Sequence, residues 1–166
     1  SHGLQPHLRA VLSPDELENE VFRGVDTSMV PLLFSDNVHY DVLPGYKGPK
    51  ARMLLDSDFL SQYFYKNIYS LSDDQIFKVQ SGFSISISVY SMLAKAGCSK
   101  IILVGQDLCM TGDKMYASGS WDDEVQTGST KYGDSYIKAK NIYNEDVYTT
   151  DRYLGIKTIM ENVIRS

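Results

Sequence analysis

The chain has 166 residues, a formal net charge of −5 and two cysteines, enough for one domain with a real core and too little for two. Its acidic balance excludes the basic footprint of a nucleic-acid binder and the polybasic patch of a membrane-surface protein, and no run approaches the roughly 18 apolar residues of a bilayer span. Cys98 and Cys109 match no metal spacing and form no disulfide framework, which points to a reducing, cytoplasmic setting.

From the N-terminus, Leu8, Ala10 and Leu12 alternate with Arg9 and Val11, predicting a mostly buried strand within 6–13. A domain seldom opens on a strand so close to residue 1, so 1–166 is expected to be a single domain cut from a longer protein. Ser13-Pro14-Asp15-Glu16 predicts a helix start, with a capping hydroxyl, proline in the first turn and Glu16 at capping-box spacing from Ser13. Gly24 closes that helix. Residues 29–34 predict a second buried strand, 38–43 a third and weaker one, and 44–49 a loop.

The clearest helix is predicted over 57–69, with Phe59, Leu60, Tyr63, Phe64 and Ile68 on one face. Residues 75–80 predict a strand. Residues 83–90 alternate strictly, which alone predicts another strand, yet Ile85, Val89, Met92, Leu93 and Ala96 also form a helical stripe that Gly97 would end. A helix over 83–96 is preferred, because parallel strands need a crossover and small serines let a helix sit close on a sheet. After it, 100–104 (KIILV) predicts a short interior strand. The 30 residues 105–134 have no period and suit a binding loop or lid. Residues 136–139 and 146–149 predict a hairpin. Thr150 and Asp151 then cap a last helix whose Tyr153, Ile156, Ile159, Met160 and Val163 face the core. The expected fold is Rossmann-like α/β, with a mainly parallel sheet, helices on both faces, and a C-terminal hairpin plus helix.

Open α/β sheets bind ligands beyond the carboxyl ends of their parallel strands, and the predicted strand 100–104 empties into Gly105-Gln106-Asp107. Gly105 permits close backbone approach, and Gln106 brings an amide. Asp107 brings a carboxylate that can hold a divalent cation on phosphates, accept a sugar hydroxyl, or simply cap a turn. Ser81 and Gly82 open the helix that follows 75–80, where amides can cradle a phosphate or carboxylate. Ser13 stands in the equivalent place after the first strand, and capping alone explains it. Tyr116, in the expected lid, can donate to a leaving phosphate oxygen or merely pack. His7 and His39 have no partner at useful spacing, and there is no P-loop, GxGxxG, GxSxG or HExxH.

The stretch GCSKIILVGQDLCMTGDKMYASG resembles the signature of the motility accessory factor family of flagellin glycosyltransferases. The central domain of that family is grouped with the archaeal 6-hydroxymethylpterin diphosphokinase-like proteins. Its pattern runs helix, Gly-Cys, apolar strand, Gly-Gln-Asp-Leu, then a loop often reading Thr-His-Ala before a glycine. GLQPHLRAVLSPD is similar to the family's Gly-Ile-x-Pro-Asp, strand, Asp-Pro segment, and EDVYTTDRYLGIKTIMENVI to its closing Val-Tyr-Thr and helix. The resemblance therefore runs over nearly the whole chain.

It implies a Rossmann-like fold distantly similar to bacterial sialyltransferases that use CMP-activated sugars. The implied reaction moves a nonulosonic acid, such as pseudaminic or legionaminic acid, onto a flagellin Ser or Thr. The implied partners are a CMP-linked sugar and a protein acceptor. Asp107 and Gln106 then sit at the donor or acceptor site, and Ser81 and Gly82 contact nucleotide or carboxylate. Tyr116 assists the leaving phosphate, since a phenol titrating at about 10 is a poor base. Three features depart from the pattern: the family's N-terminal Gly-x-Gly-Pro-Ser loop is not in the chain, Ser13 replaces an Asp, and Tyr116 replaces the loop His. Two alternatives stand beside this reading. One is an ATP-dependent 6-hydroxymethylpterin diphosphokinase-like enzyme with Asp107 on Mg²⁺. The other is a non-catalytic scaffold, favoured by the replaced residues and opposed by the intact Gly105-Gln106-Asp107.

Overall fold

A computed structural model describes residues 5–16, 18–110 and 136–166, which fall into two compact units: Ser1–Ser81 with Ser88–Gly97, and Gly82–Ile87 with Cys98–Ser166. The first unit is built on parallel strands. β1 (Arg9–Val11), β2 (Leu32–Phe34) and β3 (Lys50–Arg52) lie side by side in chain order, with Arg9 opposite Leu32 and Leu32 opposite Lys50. Met53 alone separates β3 from β4 (Leu54–Leu55), and its amide donates to the Phe34 carbonyl at 2.7 Å. β4 then pairs, again in parallel, with β5 (Lys78–Val79).

Successive side chains of a strand face opposite sides, and this unit buries both. Val11 and Leu32 pack with Val42 and Tyr46, with Phe22 against them. The neighbouring Leu12 joins a separate cluster of Met53, Leu55 and Val79 with Met92. The buried Tyr46 hydroxyl donates to the Val30 carbonyl at 2.6 Å, so its polar tip is satisfied inside the core. The helices of this part of the chain are α1 (Glu18–Val21), α2 (Val42–Gly45), α3 (Phe59–Asn67) and α4 (Ile85–Lys95).

α4 settles the ambiguity of 83–96 in favour of the helix, and Gly97 follows it at φ +85°, as a left-handed C′ residue does. Other expectations are corrected. Residues 38–43 form no strand: the chain turns there into α2, because Val42 is drawn into the Val11–Leu32 cluster and the Tyr46 amide closes the turn on the Val42 carbonyl at 3.1 Å. β3 and β4 occupy a stretch in which no strand is predicted. The first helix begins at Glu18, later than the capping box predicts. Ser13 instead accepts the Asp15 amide at 3.1 Å, a local turn that competes with helix.

In the second unit, β6 (Tyr136–Lys140) and β7 (Asp146–Thr150) form the expected hairpin, with Tyr136 opposite Thr150 and Asn144 in the turn at φ +63°. α5 (Asp151–Arg165) follows, capped by Thr150, whose side chain accepts the Tyr153 amide, and Ile156 and Met160 are buried. The interior strand expected at 100–104 is not formed. Ile102 and Val104 are 77% and 84% exposed and the segment has no ladder among the described residues. Apolar, β-branched composition supplies only a propensity; a strand exists through its partners. The described residues thus make a mixed α/β chain with short parallel sheets and a C-terminal hairpin plus helix. Most of the stretch expected to be a binding loop or lid, 111–134 with Tyr116, lies outside the described residues. No described helix is long and apolar enough to cross a membrane.

Candidate functional site

Within each parallel sheet of the first unit the carboxyl ends share one edge, and four strands are followed there by a polar residue: Ser13 after β1, Asp36 after β2, Asp56 after β4 and Ser81 after β5. This is the edge at which α/β sheets hold ligands. The Asp56 amide donates to the Val79 carbonyl at 2.9 Å, so its carboxylate leaves the sheet at a fixed point. Asp56 Oδ1 accepts both the Ser81 amide at 2.8 Å and the Ser81 hydroxyl at 2.6 Å. Ser81 is held from behind. The buried Ser88 donates to the Gln80 carbonyl at 2.9 Å, and the Gln80 amide donates to the buried Ser91 hydroxyl at 3.0 Å. The serines of α4 thus fix the turn that presents Ser81.

Asp36 accepts the Ser61 hydroxyl at 2.6 Å through one oxygen, and its other oxygen lies 3.4 Å from Arg52 Nη1. The Arg52 guanidinium stands over the Tyr65 ring, 4.9 Å from its centroid. Asp58 caps α3 by accepting the Ser61 amide at 3.0 Å. Burial opposes the charge of Asp58, but hydrogen bonds with Ser61 and Asp36 outweigh it and hold the carboxyl below its ordinary range. Beside Arg52 opens a cavity of about 360 Å³ whose walls include Met53, Tyr65, Gln75, Phe77 and Met92. Its size and mainly apolar walls are those of a small-molecule pocket. Among the described residues, no three acidic, His or Cys side chains are grouped to hold a metal ion.

In the second unit, Gly105 at φ +71° and Leu108 at φ +52° bend the backbone on either side of Gln106 and Asp107. Glycine takes the left-handed region freely and leucine does not, so Leu108 must be held there. Two bonds to β7 do so: Thr149 Oγ1 donates to the Leu108 carbonyl and the Met110 amide to the Tyr148 carbonyl, each at 2.7 Å. Burial, and then the charge of Asp107, pushes the Cys109 thiol up. Among the described residues, the Gln106 side-chain amide donates to the Gly105 carbonyl at a long 3.4 Å.

Ser81 therefore meets Asp56, while Gly105, Gln106 and Asp107 share one tethered turn. Ser13 serves local capping, through the Asp15 amide and the Glu18 carboxyl. Gly82 has a packing reason to be glycine: a Cβ there would lie 2.6 Å from Ile87 Cδ1, and Ile87 is fully buried. Sequence reasoning missed Asp36, Asp56, Ser61 and Arg52. The signal was available in LLFSD and RMLLD, two apolar runs that each end in an aspartate.

A family model described as 6-hydroxymethylpterin diphosphokinase MptE-like matches residues 1–113. No curated protein and no solved structure gives a significant match to the chain.

Proposed function

The chain belongs to the 6-hydroxymethylpterin diphosphokinase MptE-like family, and on that premise we propose that it is a transferase module for a nucleotide-activated donor. It moves a nonulosonic-acid sugar from CMP to a Ser or Thr hydroxyl of an acceptor protein such as flagellin. The supporting observation is the Ser81 turn, which aims an amide and a hydroxyl at a single carboxylate oxygen at the strand ends. A nonulosonic acid carries a carboxylate, and in this reading it takes those two donors in place of Asp56. The flat cytosine ring suits the cavity beside Arg52. The acceptor oxygen bonds to the anomeric carbon, that carbon's bond to the phosphate oxygen breaks, CMP leaves with the electron pair, and the hydroxyl proton passes to a base. Tyr116 donates to the leaving phosphate.

A second reading is favoured by the family's own description: pyrophosphoryl transfer from ATP to the hydroxymethyl group of a pterin. Mg²⁺ is commonly held by one or two carboxylates together with substrate phosphates. Asp107 fits that modest requirement. A thermal-shift comparison separates the two. Stabilisation by a CMP-linked nonulosonic acid, and none by ATP with Mg²⁺, is the expected result. The reverse pattern transfers the assignment to the diphosphokinase reading. Stabilisation by neither overturns both in favour of a scaffold.

A further inference from the structure

α3 turns its apolar stripe away from the core. Phe59, Leu60, Tyr63, Phe64 and Ile68 are 78%, 68%, 59%, 43% and 60% exposed, and no residue of the helix is buried. The same helix satisfies the sheet side with its other face, through Ser61 on Asp36 and Tyr65 under Arg52. Contiguous apolar patches of this kind mark interaction surfaces. The stripe is rich in aromatics and carries no charge, the composition that distinguishes the buried centre of an interface. The single charged residue of α3, Lys66, is engaged with Asp73 at 2.8 Å.

We propose that this face docks against the same face of a second copy of the chain, α3 on α3 about a twofold axis near Tyr63. A twofold interface brings like residues together, so a charged face would repel itself; this one does not. Aromatic side chains present on the order of 150–250 Å² each. At the exposures above, the stripe offers roughly 600 Å² per copy, the lower end of what a specific dimer uses. Stacked over a helix of about 13 Å, the two stripes bury each other with no further element required. Such an interface predicts a reversible, concentration-dependent dimer.

Sedimentation velocity on the full chain from about 1 to 200 µM tests this. The expected result is a shift from monomer to dimer that Phe59→Ser with Tyr63→Ser abolishes, raising the dimer dissociation constant at least tenfold without lowering the melting temperature. Tyr63→Cys, placed near the axis, should form a disulfide-linked dimer on mild oxidation. A wild-type chain that stays monomeric throughout overturns the proposal. So does a serine double variant that melts earlier as a monomer, because the stripe would then be covered within its own chain.

Discussion

The hydroxyl of Thr149, a residue only 2% exposed, donates at 2.7 Å to the carbonyl of Leu108, the residue after Asp107. A buried threonine on the hairpin thereby holds the strained end of the Gly-Gln-Asp turn. Thr149→Val keeps the shape and removes the donor, leaving the Leu108 carbonyl unpaired, which costs about 1–3 kcal/mol. Urea unfolding should show that loss, and hydrogen exchange over 105–110 should speed up while α5 keeps its protection. Unchanged exchange in the turn would mean that the hairpin does not tether it.

Cys109 reports on Asp107. Its thiol is raised first by burial and then by the Asp107 charge, whereas Cys98 is exposed. The thiolate is the reactive form, so iodoacetamide at pH 8 should modify Cys98 well before Cys109. Asp107→Asn removes the neighbouring charge and should speed Cys109 alkylation severalfold. Equal rates in the variant and the wild type would separate the two side chains.

Gly48 is required by close approach. A Cβ there would collide with the Thr27 carbonyl oxygen and lie 2.6 Å from that of Val30. Both obstacles are backbone and cannot swing aside. Gly48→Ala should therefore destabilise the chain by about 2 kcal/mol or more, as overpacking does. Gly45→Ala, three residues away with nothing within 4 Å of its Cβ, should be nearly neutral. Thermal melts of the pair test the contrast.

Asp73 gives the chain an acid-sensitive contact. Hydrogen bonds from Lys66 and Lys78 bring its carboxyl from 3.8 down to about 2. A carboxyl whose pKa is lowered by folding stabilises above its unfolded value and loses that contribution as pH falls through the folded one. The contribution is thus complete above about pH 4 and fades towards pH 2. Asp73→Asn should flatten the stability profile in that window, and added salt should shrink the difference because the group lies in solvent. Identical acid-unfolding curves would remove the contact from the account.

Several elements were legible because their signals are local. The hairpin announces itself by alternation around Asn144, α5 by its Thr150 cap, and α4 by a stripe ending at Gly97. What failed was whatever depends on a distant partner. The run 100–104 has strand composition and no ladder, and 38–43 has strand composition but lends Val42 to the core from a helical turn. The stripe on α3 was correctly periodic, yet periodicity does not say what covers it, and here nothing in the described residues buries it. Asp107 stands out in the sequence because it follows an apolar run. Asp56 follows one too and was passed over, since only the fold reveals that its partner is Ser81, 25 residues away.

The Asp56–Ser81 contact also gives the sharpest test of the proposed function. If the Ser81 turn receives the donor's carboxylate, Asp56 competes with it from within the chain. Calorimetric titration of a CMP-linked nonulosonic acid into the chain and its Asp56→Ala variant decides the matter. The account predicts that the variant, although somewhat less stable, binds at least tenfold tighter, and that Ser81→Ala binds more weakly than wild type. Equal affinity in all three proteins, or no binding in any, would contradict it.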